Sequence, residues 1–104
     1  MNYGYKRYWK IKILKFNDGD SGIAIRSDVT NPYKFRFRLE NINCPELRSY
    51  YGQQAKLFAE KWVGGYNCTF ATNGYKDYYG RYLGDIYLNR KSLISALRRH
   101  GYGR

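Results

Sequence analysis

Carboxylates are scarce in this chain, 8 Asp and Glu against 19 Lys and Arg, so the places where they gather are informative. Asp18 and Asp20 flank Gly19 in a run dense in turn formers, Asn17-Asp18-Gly19-Asp20, and Glu46 follows Pro45 in a stretch with neither helical nor strand periodicity. Loops of this kind let side chains converge without a helix or a ladder dictating their direction. A hard cation such as calcium wants several oxygen ligands, and two such loops brought together would supply them. Each feature also has an ordinary explanation. Asp-Gly-Asp is a common hairpin turn, Cys44-Pro45-Glu46 a capped loop, and Arg38 a solvated cation; taken singly, the ordinary explanation is preferred for each.

The two cysteines, Cys44 and Cys68, have no Cys-x-x-Cys spacing and His100 is the only histidine, which argues against a thiolate or imidazole zinc site. Any metal has to be held by oxygen. The formal charge of +11 concentrates polyanions such as nucleic acid. With 13 Tyr, 5 Phe and 2 Trp, rings interleaved with cations could stack on bases while the cations meet phosphates, although most rings are expected in the core and on the barrel surface. Composition alone fits a small basic binding protein equally well. No run approaches the roughly 20 apolar residues of a membrane span, and Met1 opens a polar segment rather than a charged-then-apolar signal. The expectation is a cytoplasmic protein without a membrane partner, or a secreted one if the sequence is a mature form.

The elements that must position these residues follow from hydrophobic spacing. At 104 residues the chain is expected to form one domain. Over residues 8–17, Trp9, Ile11 and Ile13 share one parity and Leu14 and Phe16 the other, which predicts a strand with a bulge. Ile23 and Ile25 follow the Asp-Gly-Asp turn as the second arm of a hairpin, with Asp20 at its mouth. Tyr33, Phe35, Phe37 and Leu39 alternate with Lys34, Arg36, Arg38 and Glu40, so Arg38 should point away from the apolar face of a third strand. Residues 41–50 read as a loop. Ala55, Phe58, Ala59 and Trp62 fall at i, i+3, i+4 and i+7 of a helix ended by Gly64-Gly65. Strands are expected over 66–72 and 82–88, the second weakened by Gly84, with a turn-rich connection between them. A second helix over 90–104 places Leu93, Ile94, Ala96 and Leu97 inward and stops at Gly101. Five strands and two helices are compatible with an α+β, mainly β, five-stranded OB-type barrel, a fold that often binds oligonucleotides.

Four segments taken together resemble one family. Phe16-Asn17-Asp18-Gly19-Asp20, then residues 38–46 (RLENINCPE), then Tyr51-Gly52, then Asp77-Tyr78-Tyr79-Gly80-Arg81, follow the order and spacing of the thermonuclease (staphylococcal-nuclease-like) motifs. The resemblance implies an OB-type barrel with flanking helices and a nuclease, an endonuclease rather than an exonuclease, that hydrolyses DNA or RNA with a divalent cation, calcium first and magnesium or manganese as alternatives. Carried over by position, Asp20 and Asn43 fall on the metal-binding side chains and Cys44 on the residue whose main-chain carbonyl completes the protein ligands. Glu46 matches the carboxylate that positions or deprotonates the attacking water, and Arg38 and Arg81 match the arginines that grip the scissile phosphate. Tyr79 matches a base-pocket tyrosine, while Tyr78 and Tyr102 could stack on a base, with packing roles as their ordinary alternative.

The match departs from the family at two places. The family has aspartate where this chain has Asn43, so the site lacks one negative charge and metal binding should be weaker or altered. The family also continues through a tyrosine-bearing segment and a third helix, so part of the base pocket is expected to be absent from these residues, and a second copy or a protein partner could cover the exposed core. These departures sustain a rival of another class: a barrel that has lost catalysis and serves as a nucleic-acid- or protein-binding module. Retention of Asp20 and Glu46 beside the arginines favours catalysis, since two acids would weaken simple binding to a polyanion.

Overall fold

The computed structural model describes residues 4–65 and 67–104. Six strands and two helices follow in the order β1 (Arg7–Asp18), β2 (Ser21–Arg26), β3 (Tyr33–Leu39), α1 (Tyr50–Val63), β4 (Asn67–Lys76), β5 (Tyr82–Leu88), β6 (Lys91–Ser92) and α2 (Leu93–Arg99). The sheet runs β3-β2-β1-β4-β5-β6, and a further pairing of β3 with β5 closes the first five strands into a barrel. β6 is a two-residue appendage. That closing pair is parallel, with Phe37 opposite Tyr82 and Arg38 opposite Leu83, whereas the other pairings are antiparallel. The five-stranded barrel with two helices is the expected α+β architecture.

Alternating residues fill the interior. Trp9, Ile11, Phe16, Phe35, Phe37, Leu39, Phe70 and Ile86 are buried in one continuous core. Trp9 meets Phe35 edge-on at 5.5 Å and Tyr82 at 5.0 Å, and Phe16 meets Phe37 edge-on at 5.6 Å, geometries favoured by the ring quadrupole. Each buried Phe contributes about 1.5–3 kcal/mol by leaving water. The bulge expected in β1 is present, with the register against β2 shifting between Ile13 and Lys15. The extra residue is Leu14, which faces solvent at 44% exposure, while Phe16 returns to the core. Leu14 and Phe16 were expected on one face; the bulge separates them.

Three other boundaries differ from the sequence pattern. The strand expected to start at Tyr66 has its first position outside the described residues, but β4 continues to Lys76, into what looked like a turn-rich connection. Gly84 strengthens rather than weakens β5, because a Cβ there would stand 2.2 Å from the Ala71 carbonyl and 2.8 Å from the Phe70 ring. Glycine is what lets β5 lie against the aromatic core. Helix α1 starts at Tyr50, earlier than its apolar period indicates, because the Ser49 hydroxyl accepts from the Gly52 N–H as N-cap. Its buried face is Gly52, Ala55, Ala59 and Val63, so Phe58 and Trp62 lie at the margin, half-buried, rather than at the centre of the packed face. Small residues let the helix approach the barrel, and the large rings are left at its edge. Helix α2 is shorter than expected, seven residues, with Gly101 at φ 77° just beyond it.

Candidate nuclease site

The β1–β2 hairpin turn is built by Asp18. Its Oδ1 accepts from the Asp20 N–H at 3.1 Å and the Ser21 hydroxyl at 2.8 Å, a side chain bonding to backbone two residues on. Asp20, two residues on, is then turned inward to 6% exposure. Gly19 is required by space: a Cβ would stand 2.8 Å from Ala55 Cβ and 2.9 Å from Cys44 Sγ. The turn is therefore pressed between α1 and the 40–49 loop, which places Asp20 against that loop. Its Oδ2 accepts from the Cys44 N–H at 2.7 Å, and its backbone carbonyl accepts from the Leu39 N–H at 2.8 Å.

Arg38 leaves the barrel wall on the side opposite Phe37, as the alternation requires. One nitrogen, Nη1, donates to the carbonyls of Leu39 at 2.7 Å and Ile42 at 2.8 Å and lies 3.4 Å from Asp20 Oδ2. The other, Nη2, donates to Asn43 Oδ1 at 2.8 Å. Asp20, Arg38, Asn43 and Cys44, four residues singled out by motif, are thus joined in one network. The loop is pinned from the far end of the chain: Asn43 and Arg104 exchange backbone N–H···O bonds at 2.9 and 3.1 Å, and the Arg98 guanidinium bonds the Asn41 carbonyl.

Arg81 arrives by the parallel β3–β5 pairing, which sets the start of β5 beside the end of β3. Asp77 organises this approach. It accepts from the Tyr79 and Arg81 N–H groups at 3.0 and 2.9 Å, and from Arg81 Nε at 2.7 Å, while Gly80 takes φ 80° to complete the turn. The Arg81 guanidinium lies 5.5 Å from the centre of the Tyr79 ring. Arg38, Asn43 and Asp77 line one cleft of about 350 Å³.

The remaining motif and candidate residues stand elsewhere. The Glu46 carboxylate lies on the surface, paired with Arg48 at 2.8 Å, both side chains mostly exposed. The Tyr51-Gly52 pair serves this loop sterically, since a Cβ at Gly52 would stand 1.8 Å from the Glu46 carbonyl oxygen. Tyr102 packs on Phe58 at 5.4 Å and lines a separate cleft with Asn43, Cys44 and Tyr51. Tyr78 and Tyr79 are exposed, at 97% and 68%, and meet edge-on at 5.6 Å. The residues that hold the others in place are Asp18 and Asp77, which lie in the motif segments without a site role assigned to them, and Arg98 and Arg104, which lie outside those segments. Asp77 was legible as the partner of an arginine four residues on; the two C-terminal arginines carried no local signal.

Electrostatics separate Asp18 from Asp20. Burial, and then the Asp18 carboxylate against it, push the Asp20 pKa up to about 6, against the Cys44 N–H and Arg38. For Asp18, burial would raise the pKa, but donation from the Asp20 carboxyl, the Ser21 hydroxyl and backbone N–H groups outweighs it and the net shift is downward. Asp20 is therefore the member of the pair that takes up a proton first as pH falls. Burial, then Asp20 and Asp18, push the Cys44 thiol up to about 12, so it stays protonated at neutral pH. Among the described residues no group of three or more His, Cys, Asp or Glu is arranged to hold a metal ion. The oxygens around Arg38 are the Asp20 carboxylate, the Asn43 amide and the Leu39 and Ile42 carbonyls.

Residues 36–104 match the model of the family described as staphylococcal nuclease homologue. That stretch includes Arg38, Asn43, Glu46 and Arg81, and Asp20 precedes it. Among curated proteins, the chain is 30% identical over 80 residues, 77% of its length, to "Probable staphylococcal-like nuclease CAN2" of Oryza sativa subsp. japonica. It is 34% identical over 79 residues, 76% of its length, to "Staphylococcal-like nuclease CAN1" of Arabidopsis thaliana. These alignments cover 22% and 24% of the relatives' own lengths, so the chain spans about a quarter or less of each. A closed barrel, the arginines brought to adjoining strand ends and a family match over two thirds of the residues agree: the chain belongs to the staphylococcal nuclease homologue family.

Proposed function

We propose that this barrel is a divalent-metal-dependent nuclease that cuts phosphodiester bonds within DNA or RNA strands. The observation that carries the proposal is the parallel β3–β5 closure, which sets the start of β5, where Asp77 holds Arg81, beside the end of β3, where Arg38 lies 3.4 Å from the buried Asp20. Two guanidinium forks meet non-bridging phosphate oxygens in a plane and stay charged throughout, so they can neutralise the charge that builds as phosphorus becomes five-coordinate. Water attacks in line with the departing 5′ oxygen; the new O–P bond forms as the P–O5′ bond breaks, and the 5′ oxygen leaves as a hydroxyl with a proton from solvent, leaving a 3′-phosphate. Glu46 is the carboxylate proposed to take the water's proton, a role that requires its release from Arg48.

A hard cation suits the donors present, which are oxygen throughout: Asp20, Asn43 and the Cys44 main-chain carbonyl, with Asp18 adjoining. Calcium is the first choice, magnesium or manganese the alternatives. Two carboxylates set against each other form a place where a cation relieves their repulsion. When bound it would supply charge neutralisation and a more acidic water. Tyr79 and Tyr78 beside Arg81, and Tyr102 by the adjoining cleft, are proposed to take bases.

A binding module is the second reading, and one observation favours it: the Arg38 guanidinium is satisfied by Leu39, Ile42, Asn43 and Asp20. Cleavage of plasmid and single-stranded DNA and of RNA, with calcium, magnesium or manganese and then with a chelator, decides between them. The nuclease cleaves with at least one metal and stops with the chelator; retention on a gel without cleavage under every condition would replace it with the binding module.

A further inference from the structure

A second groove lies between the helices and the β5–β6 turn, with about 560 Å³ of free volume and no residue in common with the Arg38 cleft. Its walls are Phe58 and Trp62, the rings that α1 leaves at its margin, and Tyr87 of β5. Its rim carries Arg90, Lys91 and Arg99, and its lining contains neither Asp nor Glu. Rings and cations lining one groove match a strand whose bases are free to stack and whose phosphates need neutralising. A duplex hides its base faces and would meet only the cations.

The backbone offers a second, independent sign. β5 and β6 pair Leu88 with Lys91, leaving Asn89 and Arg90 as a two-residue hairpin loop, and both have positive φ, 51° and 66°. That type I′ geometry favours Asn followed by Gly. The first position obeys; the second holds arginine in a left-handed conformation that glycine adopts without strain. Strain retained at a groove rim directs attention to what the side chain does there.

We infer that the groove lined by Phe58, Trp62, Tyr87, Arg90, Lys91 and Arg99 is a second binding site for single-stranded nucleic acid, separate from the Arg38 cleft. The inference shares with the proposed function only the class of ligand, not cleavage. Its test is binding of labelled oligothymidylate in chelator, followed by anisotropy across a salt series, with heparin as a polyanion that has no bases. Arg90→Gly and Arg99→Gln are each expected to flatten the slope of log affinity against log salt by about 0.7, the value for one phosphate contact on a single strand. Arg90→Gly should melt at an unchanged or higher temperature, so its loss of affinity is not unfolding. Trp62→Leu should weaken oligothymidylate about fivefold or more while heparin is held as before. Unchanged salt slopes in both arginine variants would overturn the inference. Equal weakening of heparin and oligothymidylate by Trp62→Leu would also overturn it, marking a charged patch open to any acidic partner. Binding intact without cleavage in metal strikes the nuclease reading alone; normal cleavage of a short phosphodiester with unchanged slopes strikes this one alone.

Discussion

Asp20 and Asp85 are both nearly inaccessible, at 6% and 4% exposure, and burial raises the pKa of each, yet their surroundings differ in kind. Asp85 has its needs met. It accepts from the Ile86 N–H at 2.7 Å and the Ile94 N–H at 3.2 Å, and from the Ser92 hydroxyl, so it ties β5 to the start of α2. Asp20 has one backbone donor, a guanidinium at 3.4 Å and a second carboxylate against it. A carboxylate surrounded by donors holds a fold together; one set beside another carboxylate is costly until something positive arrives. The contrast separates an acid that ties elements together from one left short of donors, without appeal to any motif.

Exchanging the charge at each position is the strongest way to break this comparison. Asp20→Asn should lower metal-dependent cleavage by about 100-fold or more while leaving the melting temperature unchanged or raised, since it removes a disfavoured carboxylate. Turnover assays and thermal melts on the same preparation check both parts, and a clear loss of stability would put Asp20 in the same class as Asp85. Asp85→Ala should do the reverse. Leaving the Ile86 and Ile94 N–H groups without their acceptor, it is expected to cost about 2–4 kcal/mol in urea unfolding, with turnover per folded molecule preserved.

A pH series sharpens the same point. The folded Asp20 keeps its proton up to about pH 6, whereas in the unfolded chain it releases it near the ordinary value of 3.8. The unfolded state therefore holds fewer protons across that window, and stability should fall as pH rises from about 4 to about 6. Asp18, shifted downward, acts in the opposite sense but below about pH 4, outside this window, so the loss from Asp20 is on the order of 3 kcal/mol at most. Denaturation in chelator at each pH measures it, and Asp20→Asn should flatten the Asp20 contribution; an identical slope in that variant would assign the dependence to other groups. The smallest effect concerns Asn43, where the motif resemblance implies an aspartate. Asn43→Asp should tighten divalent-cation binding by about tenfold, roughly 1.4 kcal/mol, in a calorimetric titration, and an unchanged affinity would remove residue 43 from the metal ligands.

Much of this protein is written locally. Alternation in Tyr33–Leu39 predicts both the strand and the outward direction of Arg38, the parity change near Leu14 predicts the bulge, and the turn formers at 17–20 locate the hairpin, because period and turn chemistry depend on neighbours a few residues apart. The motif spacing likewise points to Asp20, Arg38, Asn43 and Arg81. Long-range contacts decide what those residues do. The parallel β3–β5 closure, the Arg104 backbone on Asn43, Arg98 on Asn41, and the burial that lifts Asp20 while Glu46 stays on the surface with Arg48 all join segments far apart in sequence. The same holds for α1. Its apolar period predicts the helix but assigns Phe58 and Trp62 to the packed face; only the close approach at Gly52, Ala55 and Ala59 shows that the barrel accepts the small side chains and leaves the large ones at a groove. Sequence alone determined which segments become strands and helices and which residue types are available for chemistry. Tertiary structure decided which of them meet, which are stripped of water and which stay exposed, because burial and charge proximity are properties of the closed barrel.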